Sequence, residues 1–215
     1  MASDPKKAAH YNETDEKGIP LKSVVPENVV TVVIVFNLLT VPIGYAAARY
    51  GMASEAVDAK LEGLSNSDMG WLYLGLFLVR MLQLPMGLAA GVARRDAKVN
   101  PPDQHAYVVK GAEGSKLGYV LLETDGALGR FNRAQRGMMN YHENFPTVCF
   151  HFIASSFVFP KQAFACMMLY CVGAILNAEG YRRDANGRTN GFGLVVPAVV
   201  TLQGMILFVA LKTLL

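Results

Sequence analysis

The sequence is short of cysteine, of charge and of anything resembling a leader, and each shortage removes a class of protein. Its three cysteines, Cys149, Cys166 and Cys171, all stand in apolar runs. An odd count with no C-x-x-C pair suggests neither a disulfide framework nor a metal site. The cysteines read as small buried hydrophobes. Charged residues make up 17% of the 215 positions and hydrophobic ones 52%, too apolar a balance for an ordinary water-soluble domain. A formal net charge of +3, small and dispersed, argues against nucleic acid as a partner. Residues 1–25 mix Lys6, Lys7 and Lys17 with Asp4, Glu13, Asp15 and Glu16. No basic segment there leads into an apolar run and a small-residue cleavage site, so no secretory leader is expected, and the acids argue against a transit peptide. This segment reads as a polar tail of the kind that is usually disordered.

What the sequence does have is apolar length. Five stretches, 29–50, 69–93, 128–159, 161–181 and 192–215, are long enough to cross a hydrocarbon core of about 30 Å. The expected organisation is a tail (1–25), a first transmembrane helix with an acidic loop (26–68), and a four-helix membrane domain (69–215) interrupted by a long polar connection (103–130). Pro42 and Pro146 are expected to kink their helices, and Asn37 to seek an interhelical partner. Ser67 or Asp68 is expected to cap the second span, and Trp71 and Tyr73 fit an interfacial belt. The loop at 51–68 has room for a short amphipathic helix, and LGYVLLE (117–123) for a strand or a helical turn. Arg80, near the middle of the second span, calls for a buried carboxylate or carbonyl inside a bundle, or else a ligand. If the spans alternate, fifteen Lys/Arg lie on the side of the tail, of 94–136 and of 182–188, against four (Arg49, Lys60, Lys161 and Lys212) on the other. The basic side is therefore expected to face cytosol, stroma or matrix.

The stretch FNRAQRGMMNYHENFP (131–146) carries the most chemistry. Arg133, Arg136, Asn140 and Glu143 fall on one helical face at the entrance to an apolar run. Such groups are costly in lipid and must face protein, a cavity or a ligand. Spacing alone leaves two readings open, an ion-paired helix start or the wall of a binding site.

Three stretches in order, ARRDAKVNPP (93–102), FNRAQRGMMNYHENFP (131–146) and EGYRRDANGRTNGF (179–192), resemble the MAPEG proteins, membrane-associated proteins of eicosanoid and glutathione metabolism. The likeness is to the microsomal glutathione transferase and leukotriene C4 synthase branch. It covers about residues 69–215. The resemblance implies an all-α integral membrane fold, a MAPEG-like four-helix bundle to which this chain adds an N-terminal transmembrane helix, making five spans. It also implies a homotrimer with glutathione, as co-substrate, bound between subunits near the membrane edge. Carried over position by position, Arg94 meets a glutathione carboxylate. Arg136, Asn140 and Glu143 hold the peptide, with Glu143 on its α-amino group, and Tyr181 lies nearby. Arg188 stabilises the thiolate, and Arg95 matches a second basic residue with a catalytic role. Arg133 receives no ligand in this comparison and reads as structural pairing.

The chain also departs from the family pattern. Met138 stands where a His or Gln is common, Asn144 where some members have a tyrosine, and Asn177 where a tyrosine is frequent. His142 is an additional ring beside Glu143. The expected function is a glutathione-dependent membrane transferase or peroxidase acting on a lipophilic electrophile or lipid hydroperoxide. The alternative is a MAPEG-derived accessory subunit among unrelated subunits of a membrane complex, to which the added helix and connection point. A transporter or channel has Arg80 as its only support.

Overall fold

The computed structural model describes residues 22, 23, 25–100, 103–111 and 118–215. Nearly all of the polar tail, and the double proline at 101–102, lie outside the described residues. Six α-helices are present among them: α1 (Val29–Ala46), α2 (Glu55–Asn66), α3 (Gly70–Ala97), α4 (Gly126–Ser156), α5 (Pro160–Arg183) and α6 (Phe192–Leu214). A π-helical turn, Ala47–Gly51, extends α1, and a 3-10 turn, Ala185–Thr189, precedes α6. Four of these segments are long and apolar enough to cross a membrane: Val29–Gly51, Gly70–Ala97, Pro160–Arg183 and Ala185–Leu214. The helix α4 is too polar in its first half to join them on composition. It nevertheless crosses the same thickness, because it runs antiparallel along α3. Phe131 near its start meets Arg94, Tyr141 meets Gln83, and Phe152 packs where a Cβ on Gly75 would stand. The chain is an all-α membrane protein.

Two apolar clusters hold the bundle. The larger joins Leu72, Val79 and Met86 of α3, Tyr141, Val148 and Phe152 of α4, Met167 and Tyr170 of α5, and Leu202 of α6. The smaller joins Ala90, Ala93 and Ala97 of α3 to Phe131 and Ala134 of α4. Alanines at steps of three and four bring the two backbones close, the usual way helices gain contact where lipid is as apolar as the core. The same economy closes the end of α5. A Cβ on Gly180 would strike the carbonyl of Gly187, and one on Gly191 the carbonyl of Gly173.

The helix α1 buries none of its residues. It is tied to the bundle at its start, where Arg95 Nη1 donates to the Glu27 carbonyl (2.9 Å) and Asn100 Nδ2 to the Lys22 carbonyl (3.4 Å). Among the described residues Asn37 makes no interhelical hydrogen bond; its Nδ2 donates to the Val33 carbonyl of its own helix (2.8 Å). The helix continues through Pro42, as α4 does through Pro146.

In the loop at 51–68 the helix α2 does form, capped by Ser54, whose Oγ accepts from the Val57 N–H. The cap expected for α3 is not made. Ser67 turns back to the carbonyls of Gly63 and Leu64, and Asp68 adopts a left-handed conformation (φ 56°) that makes the corner. The Asp68 carboxylate then meets Lys161 Nζ at 2.9 Å, which places the starts of α3 and α5 at one level.

In the polar connection, β1 (Tyr107–Gly111) and β2 (Gly118–Leu122) pair antiparallel, with Tyr107 opposite Leu122 and Val109 opposite Val120. Within the LGYVLLE stretch, Gly118–Leu122 is thus a strand.

Candidate functional site

The polar stripe of α4 divides into two parts with different uses. Asn132, buried, docks the hairpin: its Oδ1 accepts from the Ala106 N–H (2.8 Å) and its Nδ2 donates to the carbonyls of Ala106 (2.7 Å) and Glu123 (2.8 Å). Arg133 donates to the carbonyls of Thr124 (2.7 Å) and Arg182 (3.3 Å), joining the start of α4 to the end of α5. Its role is structural pairing. Arg136 lies about one helical turn further on, and its guanidinium points outward. Its Nη1 is 3.1 Å from Glu143 Oε1, and both side chains are about half exposed (47% and 52%).

Beside this pair a cavity of about 480 Å³ opens between α4, α5 and α6. Asn140, Asn144, Asn177, Tyr181 and Thr189 line it, over Tyr141 and Tyr170. Tyr141 is held from behind, its hydroxyl accepting from Gln83 Nε2 at 2.8 Å. Asn144 Nδ2 donates to the Asn140 carbonyl (2.8 Å). Asn177 has a structural use: its Oδ1 accepts from the Gly191 N–H at 2.6 Å. That bond and the Gly180–Gly187 contact fix the 3-10 turn against α5, so the backbone of Arg188 sits beside Thr189 at the cavity edge. The Arg188 side chain lies outside the described residues.

Of the residues the sequence assigned to the ligand, Asn140 and Tyr181 line this cavity, whereas Arg136 and Glu143 are not among its lining residues and pair on the adjoining face of α4. Arg94 and Arg95 do not line it. Arg94 stacks on Phe131 (4.9 Å to the ring centroid) and donates to the carbonyls of Val99 and Asp103. Arg95 is shared between Asp96 (2.9 Å) and Glu27. Met138 also lies apart, lining a smaller cavity of about 200 Å³ with Pro85, Met86 and Ile175.

Two polar groups escaped the reading of the sequence. Glu179 accepts a bidentate pair from Arg182 (2.6 and 2.8 Å) and a third bond from Arg183 (2.9 Å), closing the end of α5. Its i, i+3 and i, i+4 spacing was the available signal. Asn132 had none, because its partners are backbone groups.

Arg80 corrects an expectation. Among the described residues it makes no hydrogen bond or ion pair, and it is exposed on the outer face of α3 rather than paired inside the bundle.

The cavity offers amides along its wall and a phenol at its end, and the Arg136–Glu143 pair stands on the adjoining face of α4, a helical turn to either side of Asn140. Its volume lies within the range of small-molecule sites. Such a set suits a ligand that carries both carboxylate and ammonium groups. At a stringent threshold no curated protein matches the chain. The model of the MAPEG family matches residues 72–208, well over half of it. The all-α membrane bundle and that match agree, and the chain belongs to the MAPEG family, membrane proteins of the glutathione and eicosanoid metabolism kind.

Proposed function

We propose that the chain binds glutathione in the cavity between α4, α5 and α6 and directs its thiolate at a lipophilic electrophile or a lipid hydroperoxide. The observation that carries this reading is the cavity lined by Asn140 and Tyr181, with the Arg136–Glu143 pair (3.1 Å) a helical turn to either side of Asn140 on α4. Glutathione brings two carboxylates and an ammonium. Arg136 takes a carboxylate, Glu143 the α-amino group, and Asn140 and Tyr181 the peptide between. Arg188, whose backbone lies on the turn at the cavity edge, is the cation assigned to the thiolate. A thiol with a pKa near 8.5 is mostly protonated at neutral pH, and lowering that value by about 2 units takes about 2.7 kcal/mol of preferential stabilisation of the thiolate. One desolvated guanidinium is of the right strength. The sulfur then forms a bond to electrophilic carbon as the carbon's bond to its leaving group breaks and that group departs with the electron pair. With a hydroperoxide it attacks the terminal oxygen instead: the O–O bond breaks, the lipid leaves as an alcohol once protonated, and the sulfur becomes a sulfenic acid that a second glutathione converts to the disulfide with release of water. Arg94 and Arg95 do not face their own chain's cavity. They enter the site only where copies assemble, as a homotrimer, and one copy's α3 end lies against the next copy's cavity.

The test is glutathione binding by calorimetry and conjugation of a lipophilic electrophile, with Arg188→Ala beside the unmodified protein. The expected loss of rate is roughly 20- to 30-fold near neutral pH, the fall in thiolate fraction when the pKa returns to its free value. Equal rates remove Arg188 from the mechanism, and no binding at millimolar glutathione removes the reading.

A second reading, an accessory subunit of a membrane complex, is favoured by the unburied α1 and by a hairpin that exposes Val120, Leu121 and Leu122. The mass of the assembly purified from its native membrane separates the two: copies of this chain alone for the enzyme, unrelated subunits for the accessory protein.

A further inference from the structure

Among the described residues Arg80 makes no hydrogen bond or ion pair, yet it lies midway along the apolar span of α3. The Asp68–Lys161 pair marks one end of α3 and Arg94 on Phe131 the other, and Arg80 stands halfway between them. The register of α3 against α4 gives its depth on the second helix. Gln83 meets Tyr141, Arg94 meets Phe131, and Gly75 faces Phe152, so the two helices run antiparallel in nearly constant register. Interpolated between the Gln83–Tyr141 and Gly75–Phe152 contacts, Arg80 is level with Phe145, one residue from Asn144 and two from Glu143, about 3 Å of helix rise.

Copies of one chain inserted in one orientation carry each residue at the same depth. A second copy therefore brings Glu143 and Asn144 close to the level at which Arg80 needs an acceptor. Both are exposed on α4. Glu143 Oε1 is paired with Arg136, while among the described residues neither Glu143 Oε2 nor Asn144 Oδ1 accepts a hydrogen bond. The other acidic side chain deep in a described span, Glu179, is engaged by Arg182 and Arg183 near the basic end. The face of α3 that carries Arg80 is shaped for a close neighbour. Arg80, Leu84, Gly87 and Gly91 fall in one stripe at steps of three and four. A Cβ built on Gly87 or Gly91 meets nothing within 4 Å. Such a small-residue stripe lets a second helix approach.

We propose that α3 of one copy packs on α4 of a second copy, with Arg80 bonded to Glu143 and Asn144 across the interface in the middle of the membrane. The contact rests on the self-assembly in the glutathione reading and does not require glutathione to bind. It places a second cation on Glu143, so each copy helps to set the charge at its neighbour's cavity.

Residues on either side of the pair report the contact without removing it. Phe77 and Thr147 are exposed and lie within about 3 Å of matching depth by the same register. Full-length chains with two different tags, one carrying Phe77→Cys and the other Thr147→Cys, both with Cys149→Ala, are coexpressed and treated in the membrane with a short bismaleimide. Each variant is first shown to reach the membrane at the level of the unmodified chain. A cross-linked product bearing both tags is expected. It is lost when the Phe77→Cys copy also carries Arg80→Ala, and it returns when Arg80→Glu in that copy meets Glu143→Arg in the other. Absence of the two-tag product, a product indifferent to Arg80→Ala, or a product joining Phe77→Cys to an unrelated protein overturns the contact. Glutathione binding is measured on membranes of the unmodified chain. Cross-linking without such binding keeps the interface and removes the glutathione site, whereas binding without cross-linking does the reverse.

Discussion

The helices α1 and α4 invert the habit of water-soluble proteins. The segment containing α1 has a mean hydropathy of 2.1 and buries none of it. The helix α4 is not among the segments apolar enough to be recognised as spans, yet eleven of its residues are buried, among them Asn132, Gln135, Ser155 and Ser156. Ser155 donates to the Leu202 carbonyl of α6 (3.3 Å), and Asn132 makes three bonds to the connection. In lipid an apolar side chain gains little by leaving the surface, so packing is decided by close fit, small residues and hydrogen bonds. Hydropathy in this chain says where the lipid is, and polarity says where the protein is.

The sharpest test of that difference truncates one phenylalanine on each helix. Phe152 is fully buried between α3, α4 and α5, and Phe36 on α1 is 65% exposed. Phe152→Ala is expected to cost about 3 kcal/mol. That is the low end of the range for buried phenylalanine, because lipid rather than water receives the side chain in the unfolded reference and the loss is mainly of packing around a cavity. Phe36→Ala is expected to change stability by less than about 0.5 kcal/mol. Reversible unfolding in mixed micelles measures both. Equal losses would mean that α1 is packed against something in the monomer.

Next in size is Asn132→Ala, which leaves the N–H of Ala106 and the carbonyl of Glu123 without this partner, while the Ala106 carbonyl keeps its bond from the Glu123 N–H. Orphaned buried groups cost about 1–3 kcal/mol each. Here the hairpin can lift away and hydrate them, so the expected loss is about 2 kcal/mol. Amide hydrogen exchange should accelerate across residues 103–124 and remain slow in the second half of α4. Unchanged exchange in the hairpin would show that Asn132 does not hold it.

The sequence located α4 within a few residues, since its apolar run ends at Pro160 and its charges begin it. It also separated Arg133, a structural residue, from the positions that the family comparison gives to the ligand. It could not show that Asn132 docks the hairpin, because a backbone carbonyl 26 residues away has no signature in the letters. Asn177 was legible only as a departure from a tyrosine, and its bond to Gly191 appears once α5 and the 3-10 turn are folded together. Arg80 was legible only as a charge near mid-span, and its exposure on the outer face of α3 appears once the bundle is folded.

Asn177 gives a smaller effect that connects stability to the site. Asn177→Ala frees the Gly191 N–H, at a cost of about 1 kcal/mol, and loosens the turn that carries Arg188. Thiolate formation should suffer more than glutathione affinity: titration of the bound thiol by its ultraviolet absorbance should move toward the free value, with the dissociation constant nearly unchanged. A change in affinity alone would separate the turn from the sulfur.

The smallest expected changes in stability come from the two arginines that divide the stripe on α4. Arg133 bonds carbonyls at Thr124 and Arg182 that close the bundle end. Arg136 has an ion pair with Glu143 in which both side chains are about half exposed. Exposed pairs contribute about 0–1 kcal/mol, whereas bonds from a charged donor to backbone acceptors contribute somewhat more, about 1.5 kcal/mol. Arg133→Ala should therefore lower stability by about 1 kcal/mol and leave glutathione affinity almost untouched. Arg136→Ala should leave stability within about 0.5 kcal/mol and weaken glutathione roughly tenfold, the loss of one charge-assisted contact worth about 1.4 kcal/mol. Paired melting curves and calorimetric titrations on the two variants decide it. If both losses fall on Arg133, the stripe is an ion-paired helix start. If they divide between stability and affinity, the boundary between scaffold and site lies in the single turn that separates Arg133 from Arg136.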